Sequence, residues 1–232
     1  MSLKFASVST YELTLPSNGQ KMKYRPFVVS EEKILLIALQ QNSDEAVIRA
    51  IKEMITACTF NQTDIEKLPS VDLEYLFLMI RNKSMGEGLD LEMTCTSCDK
   101  KTVVSCNLDN ITVKKSSHTD NNVKLTNELT ITMRYPTLEM AYGLSDNDID
   151  KTIEVMAKCI EFIEYQGKLY DTAELPFKEV IEFVENLTQQ SLKKIDAWLS
   201  DLPQVVFDDS YVCAHCNAKN IIHIEGLNDF FA

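Results

Sequence analysis

Two Cys-x-x-Cys motifs, Cys95-Thr96-Ser97-Cys98 and Cys213-Ala214-His215-Cys216, stand far apart in the chain. Each lies between a segment that reads as an arriving strand and one that reads as a departing strand. A tight turn in that setting aims two thiolates and several backbone N–H groups at one point. Four thiolates then complete a tetrahedron around a single ion, a closed arrangement with no open position for a substrate. The pattern predicts one structural Zn2+ per chain, held by Cys95, Cys98, Cys213 and Cys216. Iron accepts four thiolates in the same geometry, so the choice of metal is inferred. Such a site closes a long loop. Apparent structural zinc binding of about 10–16 kcal/mol offsets the several kcal/mol of closure entropy.

Other readings of the seven cysteines carry less support. A redox dithiol would sit in a thioredoxin-like βαβ context, which neither pair has. A disulfide within either pair is strained, and a cytoplasmic chain keeps its thiols reduced. Cys58 and Cys159 fall on apolar helical faces and read as small core residues. Cys106 lies in a strand near the first motif, as a core or surface thiol rather than a substitute ligand.

The rest of the 232 residues punctuates into blocks. Tyr11 to Tyr24 alternates around Asn18-Gly19 and predicts a hairpin. Ser30 is placed to cap a helix over Glu31 to Gln41. A second helix starts near Asn42 or Ser43, with Val47, Ile51, Met54, Ile55 and Cys58 on one face. A third follows Pro69, and Met85-Gly86-Glu87-Gly88 ends the block. Leu89 to Val113 and Val123 to Tyr135 alternate as strands, separated by a polar loop. Asp146 to Glu164 carries a helical stripe of Ile149, Ile153, Met156, Ile160 and Ile163. Helices then follow with Pro176 at the first position of one and Pro203 closing the other. Val205 to Ile224 repeats the strand, cysteine turn, strand pattern.

The expected fold class is α+β, with two helical blocks around a discontinuous zinc-ribbon-like β subdomain and an N-terminal β-hairpin. The organisation expected is a β arm over 1–29, a helical block over 30–88 and a ribbon from 89–135 and 204–225. A helical insertion over 136–203 and a tail over 226–232 complete it.

Charge and missing motifs narrow the function. A net charge of -12 repels phosphate backbones and anionic membrane surfaces, and no Lys/Arg cluster offsets it. No apolar stretch reaches the ~18 residues that span a bilayer, and the N-terminus lacks a signal-peptide core. The chain is therefore expected in the cytoplasm where it is made. No phosphate-binding glycine loop, nucleophile elbow or His-Glu-x-x-His helix is present. His118 reads as solvated, His215 as a spacer in its turn, and His223 as a strand residue. The sequence presents no catalytic constellation and predicts a protein that is not an enzyme. A zinc-ribbon nucleic-acid-binding or transcription-regulating module is the alternative that the two turns permit. Their tips carry Thr96, Ser97, Ala214 and His215 rather than arginine and aromatic residues.

One stretch points further. Leu15-Pro16-Ser17, then Tyr24-Arg25-Pro26-Phe27-Val28-Val29-Ser30-Glu31-Glu32-Lys33-Ile34-Leu35-Leu36, resembles the N-terminal signature of T-even-type (myovirus) phage baseplate hub assembly proteins. The likeness continues through Ala57-Cys58-Thr59 and Asp72 to Leu78, and reappears at Tyr135-Pro136-Thr137. It implies a contractile-tail protein, made in the host bacterial cytoplasm, that helps build the central hub by binding hub or tape-measure proteins. The virion tail baseplate is the second location that the resemblance implies. Candidate partner-binding residues are Tyr24, Arg25 and Phe27 of the arm, where aromatic residues and arginine cluster, and Phe230 and Phe231 of the tail.

Overall fold

Glycine and left-handed turns set the first element. Strands β1 (Tyr11–Thr14) and β2 (Lys21–Tyr24) pair antiparallel, Leu13 opposite Met22, around a tip where Gly19 takes φ 73°. The computed structural model describes residues 8–41, 43–86, 88–118, 120–141 and 148–225. They form two compact units. One comprises the chain up to Glu66, Val71–Lys114 and the segment from Pro203. The other comprises Lys67–Ser70 and Lys115–Leu202.

In the first unit the hairpin leads into helices α1 (Val29–Gln40), α2 (Asp44–Cys58) and α3 (Ser70–Met85). Helix α1 begins two residues earlier than Ser30 capping predicts. Glu31 Oε2 reaches back 2.9 Å to the Val28 N–H, so the helix closes on Val28 and leaves Ser30 inside its first turn. Helix α2 starts as expected, with Ser43 Oγ accepting from the Ala46 N–H. Its stripe of Ile51, Met54, Ile55 and Cys58 is fully or almost fully buried, as are Leu73, Leu76, Phe77 and Ile80 of α3.

Two polar anchors hold the arm. Arg25 and Glu31 pair at 2.7 Å with their side chains largely buried. Asp72, 0% exposed, accepts from the Ser17 N–H at 2.9 Å and from the Ser17 hydroxyl.

Besides the β1–β2 pair, the same unit holds two further small sheets. Strands β3 (Gly88–Thr94) and β4 (Lys101–Asn107) form one hairpin. Strands β10 (Gln204–Val212) and β11 (Lys219–Glu225) form another, extended by β5 (Thr112–Lys114) on the far side of β10.

The second unit is a four-stranded sheet of β6 (Asn122–Lys124), β7 (Leu129–Met133), β8 (Ile160–Tyr165) and β9 (Lys168–Asp171) in that order. With it come α4 (Leu138–Ala141), α5 (Ile149–Cys159), α6 (Phe177–Glu185) and α7 (Gln189–Ser200). Ile131, Ile160, Val180, Val184, Ile195 and Trp198 meet in its core. Here the structure corrects the long helix expected over 146–164: the described helix ends at Cys159, and Ile160–Tyr165 is strand β8. Ile160 and Ile163 continue the helical stripe on paper. The segment also alternates, and pairing on both sides, with β7 and β9, satisfies its backbone as a helical turn would while its β-branched and aromatic residues suit a strand. Pro176 is the N-cap of α6 rather than its first residue.

Candidate metal centre

The two cysteine turns adopt one backbone design. In the first, the Cys95 N–H donates to Lys100 O at 3.0 Å and the Asp99 N–H returns to Cys95 O at 3.0 Å. In the second, the Cys213 N–H donates to Ala218 O at 2.9 Å and the Asn217 N–H to Cys213 O at 3.0 Å. Asp99 and Asn217 take φ 55° and 58°, the left-handed region that Asp and Asn tolerate through local hydrogen bonding. The β1–β2 tip repeats the scheme with Leu15, Gly19 and Gln20.

The N–H two residues into each turn faces an anion or its precursor. Ser97 N–H points at Cys95 Sγ (3.4 Å) and His215 N–H at Cys213 Sγ (3.4 Å). At the β1–β2 tip the equivalent Ser17 N–H meets the Asp72 carboxylate instead.

The four sulfurs converge. Cys95 and Cys216 lie 3.7 Å apart, as do Cys98 and Cys213, and all four ligand atoms fall within 4.8 Å of one another. Cys95 and Cys213 are fully buried, Cys98 is half-buried and Cys216 exposed. Cys58, Cys106 and Cys159 lie in the core, outside this group. Burial pushes the Cys58 and Cys159 thiols up to about 12, so both sit as neutral apolar groups.

Side chains from each turn reach the other. Asn220, 4% exposed on β11, accepts from the Thr96 N–H (3.0 Å) and hydroxyl (2.9 Å), and points Nδ2 at Cys95 Sγ (3.5 Å). His215 Nε2 lies 3.1 Å from Lys101 O, and Thr102 Oγ1 3.8 Å from Cys213 Sγ. His215 therefore spaces its own turn and also touches the other hairpin. None of these partners has a local sequence signal, because each contact spans more than a hundred residues.

Charge is unevenly shared among the sulfurs. The Ser97 N–H holds the Cys95 thiol below its ordinary value, and the His215 N–H brings Cys213 down to about 6. At Cys98 the Lys100 N–H lowers the thiol, but burial and the neighbouring sulfurs outweigh it and push it up to about 12. Tyr211 is raised by burial first and then by the four sulfurs, and its buried hydroxyl has no partner among the described residues. Four thiolates this close repel one another, so a bound cation is what would let all of them ionise.

The candidate partner residues are placed differently from one another. Tyr24 is 4% exposed beside Tyr11, and Arg25 is committed to Glu31. Phe27 is half-buried, its N–H held by Ser84 Oγ at 2.9 Å. Exposed apolar surface begins just beyond, at Val28, Val29 and Leu36. Phe230 and Phe231 lie outside the described residues. His118 is not simply solvated: it sits 3.4 Å from Asp201 and stacks near Trp198.

Among the described residues no helix is long and apolar enough to cross a membrane. A family model described as T4 bacteriophage base plate protein matches residues 8–232. No curated protein and no solved structure matches the chain.

Proposed function

Since the chain belongs to the T4 bacteriophage base plate protein family, we propose that it is a non-enzymatic tail protein of the central hub. It acts by binding hub or tape-measure proteins, as an assembly chaperone or as a resident part of the hub. The family match over nearly the whole chain carries this reading.

The closed sulfur cluster supports a binding role over a chemical one. A tetrahedron with metal–sulfur arms of about 2.3 Å has edges of about 3.8 Å. The 3.7 Å separations of Cys95–Cys216 and Cys98–Cys213 fit that edge. Cys95, Cys98, Cys213 and Cys216 then hold one structural Zn2+ and make the two hairpins halves of a discontinuous zinc ribbon. Zinc fits the all-sulfur donor set, and four protein ligands leave no position for substrate.

The partner surface on this reading is the end of the arm and the start of α1. Val28, Val29 and Leu36 are 41%, 80% and 51% exposed, beside the half-buried Phe27. Buried Tyr24 and the Arg25–Glu31 pair fix the backbone that presents them. The acidic net charge of -12 favours partners with basic patches and adds steering during encounter. The protein works in the host cytoplasm during assembly and, if retained, in the tail baseplate.

The test is co-expression with the phage's hub and tape-measure proteins, followed by affinity capture on the chain. A hub or tape-measure protein retained through moderate-salt washing supports the reading. Capture of none of them, with the chain itself folded, removes it.

A further inference from the structure

We infer that the groove between α1 and α2 is a self-docking surface, in which a second copy of this chain packs antiparallel across α2. The inference goes beyond the hub-binding reading and uses a different face.

The groove is lined by Ile34, Ile37 and Gln41 of the α1 end and by Ala46, Arg49 and Glu53 of α2, with Ala38 and Ala50 at its floor. Ile34 and Ile37 are each 46% exposed, beside the buried Ala38 of the same helix. Ala46 and Ala50, one helical turn apart, present little bulk, so another helix can approach closely at this point.

Charge identifies the occupant. Arg49 and Glu53 are both exposed and both line the groove, one turn apart on the same helix. In this order, with the cation N-terminal, the pair gains less within its own helix than the reverse order does. A two-fold axis passing near Ile51 sets Arg49 against the Glu53 of the second copy and Glu53 against its Arg49. The face is then complementary to itself, as an isologous interface must be. Ile34 and Ile37 close over the flanks. A partner that is simply basic would meet Arg49 in the middle of the groove. The net charge of -12 opposes approach at long range, but ionic screening confines that repulsion to within about 8 Å at physiological salt.

Charge swaps provide the test, with mass read by sedimentation equilibrium over a concentration series and fold checked by circular dichroism. The wild-type chain should show a concentration-dependent monomer–dimer equilibrium. Arg49→Glu alone sets like charges opposite at two symmetry-related points and should weaken the dimer by about tenfold or more. Adding Glu53→Arg in the same chain should restore it. A wild-type chain that is monomeric at every concentration overturns the inference. So does a dimer that Arg49→Glu leaves unchanged, or one that the double swap fails to restore. Hub capture by the monomeric Arg49→Glu variant would separate this surface from the hub-binding one.

Discussion

Replacing Asn220 by alanine asks how much of the cysteine cluster is assembled by the protein rather than by the metal. Asn220 is the main side-chain link between the two turns, accepting twice from Thr96 and pointing its amide at Cys95 Sγ. The two Thr96 bonds contribute about 1 kcal/mol each, since a typical net hydrogen bond in water is worth that much. Their loss frees the turns to separate before the ion arrives. About 2 kcal/mol of preorganisation then has to be supplied on binding, which corresponds to zinc affinity about 30-fold weaker. Competition against a chromophoric chelator reads that affinity directly. Thermal melts of the zinc-loaded protein should show a matching loss of stability, about 2 kcal/mol or more, because weaker zinc binding is lost stabilisation of the folded state. Asn220→Asp keeps the acceptor for Thr96, loses the donor to Cys95 and adds a carboxylate beside four sulfurs. It should show which half of the side chain matters. Wild-type zinc affinity in Asn220→Ala would refute the reasoning and leave the metal as the sole organiser of the cluster.

Three further outcomes are expected. Glu31 is held below its ordinary value, chiefly by its hydrogen bond to Arg25. A depressed folded pKa gives stability that is present above the unfolded value near 4.3 and lost as pH falls through the folded one. Melting temperature should therefore fall less for Glu31→Gln than for wild type between pH 5 and roughly pH 3; equal falls would discount the pair. Burial pushes Asp72 up, against two Ser17 donors that favour its charged form. Ser17→Ala should cost about 1–3 kcal/mol in urea unfolding at neutral pH, because a buried acceptor loses a donor. That cost should shrink as the pH falls and Asp72 protonates, and a cost independent of pH would contradict it. Leu36→Asp changes a side chain that is 51% exposed. It should leave the melting temperature within about 1 °C while reducing hub-protein capture several-fold, since surface changes of this kind seldom alter stability. Undiminished capture would move the partner surface elsewhere.

The legible features were those whose cause is local. Cys-x-x-Cys between alternating runs specifies a turn, and two such turns with Asp99 and Asn217 at matching positions take the same backbone. Asn18-Gly19 marks its hairpin, and Ser43 marks the start of α2, for equally local reasons. The misread elements depend on distant partners. Ile160–Tyr165 satisfies both a helical stripe and a strand alternation, and its pairing with β7 decides between them. Ser30 has the right chemistry for a cap, but Glu31 reaching back to Val28 makes a cap at Val28 the better solution. Asn220, Thr102 and the Lys101 carbonyl gain their roles only when the two hairpins meet. His118 gains its contact with Asp201 only through the folding of its own unit. The burial of Tyr24 and the pairing of Arg25 with Glu31 likewise follow from the folded surroundings rather than from composition.

The central claim is that a zinc-tied ribbon supports a hub-binding surface. Native mass spectrometry of the chain, co-expressed with the phage's hub and tape-measure proteins and paired with elemental analysis, tests it most directly. One zinc per chain in a complex with one of those proteins is the predicted result. A metal-free chain with four reactive thiols at Cys95, Cys98, Cys213 and Cys216, released without a partner, would contradict it.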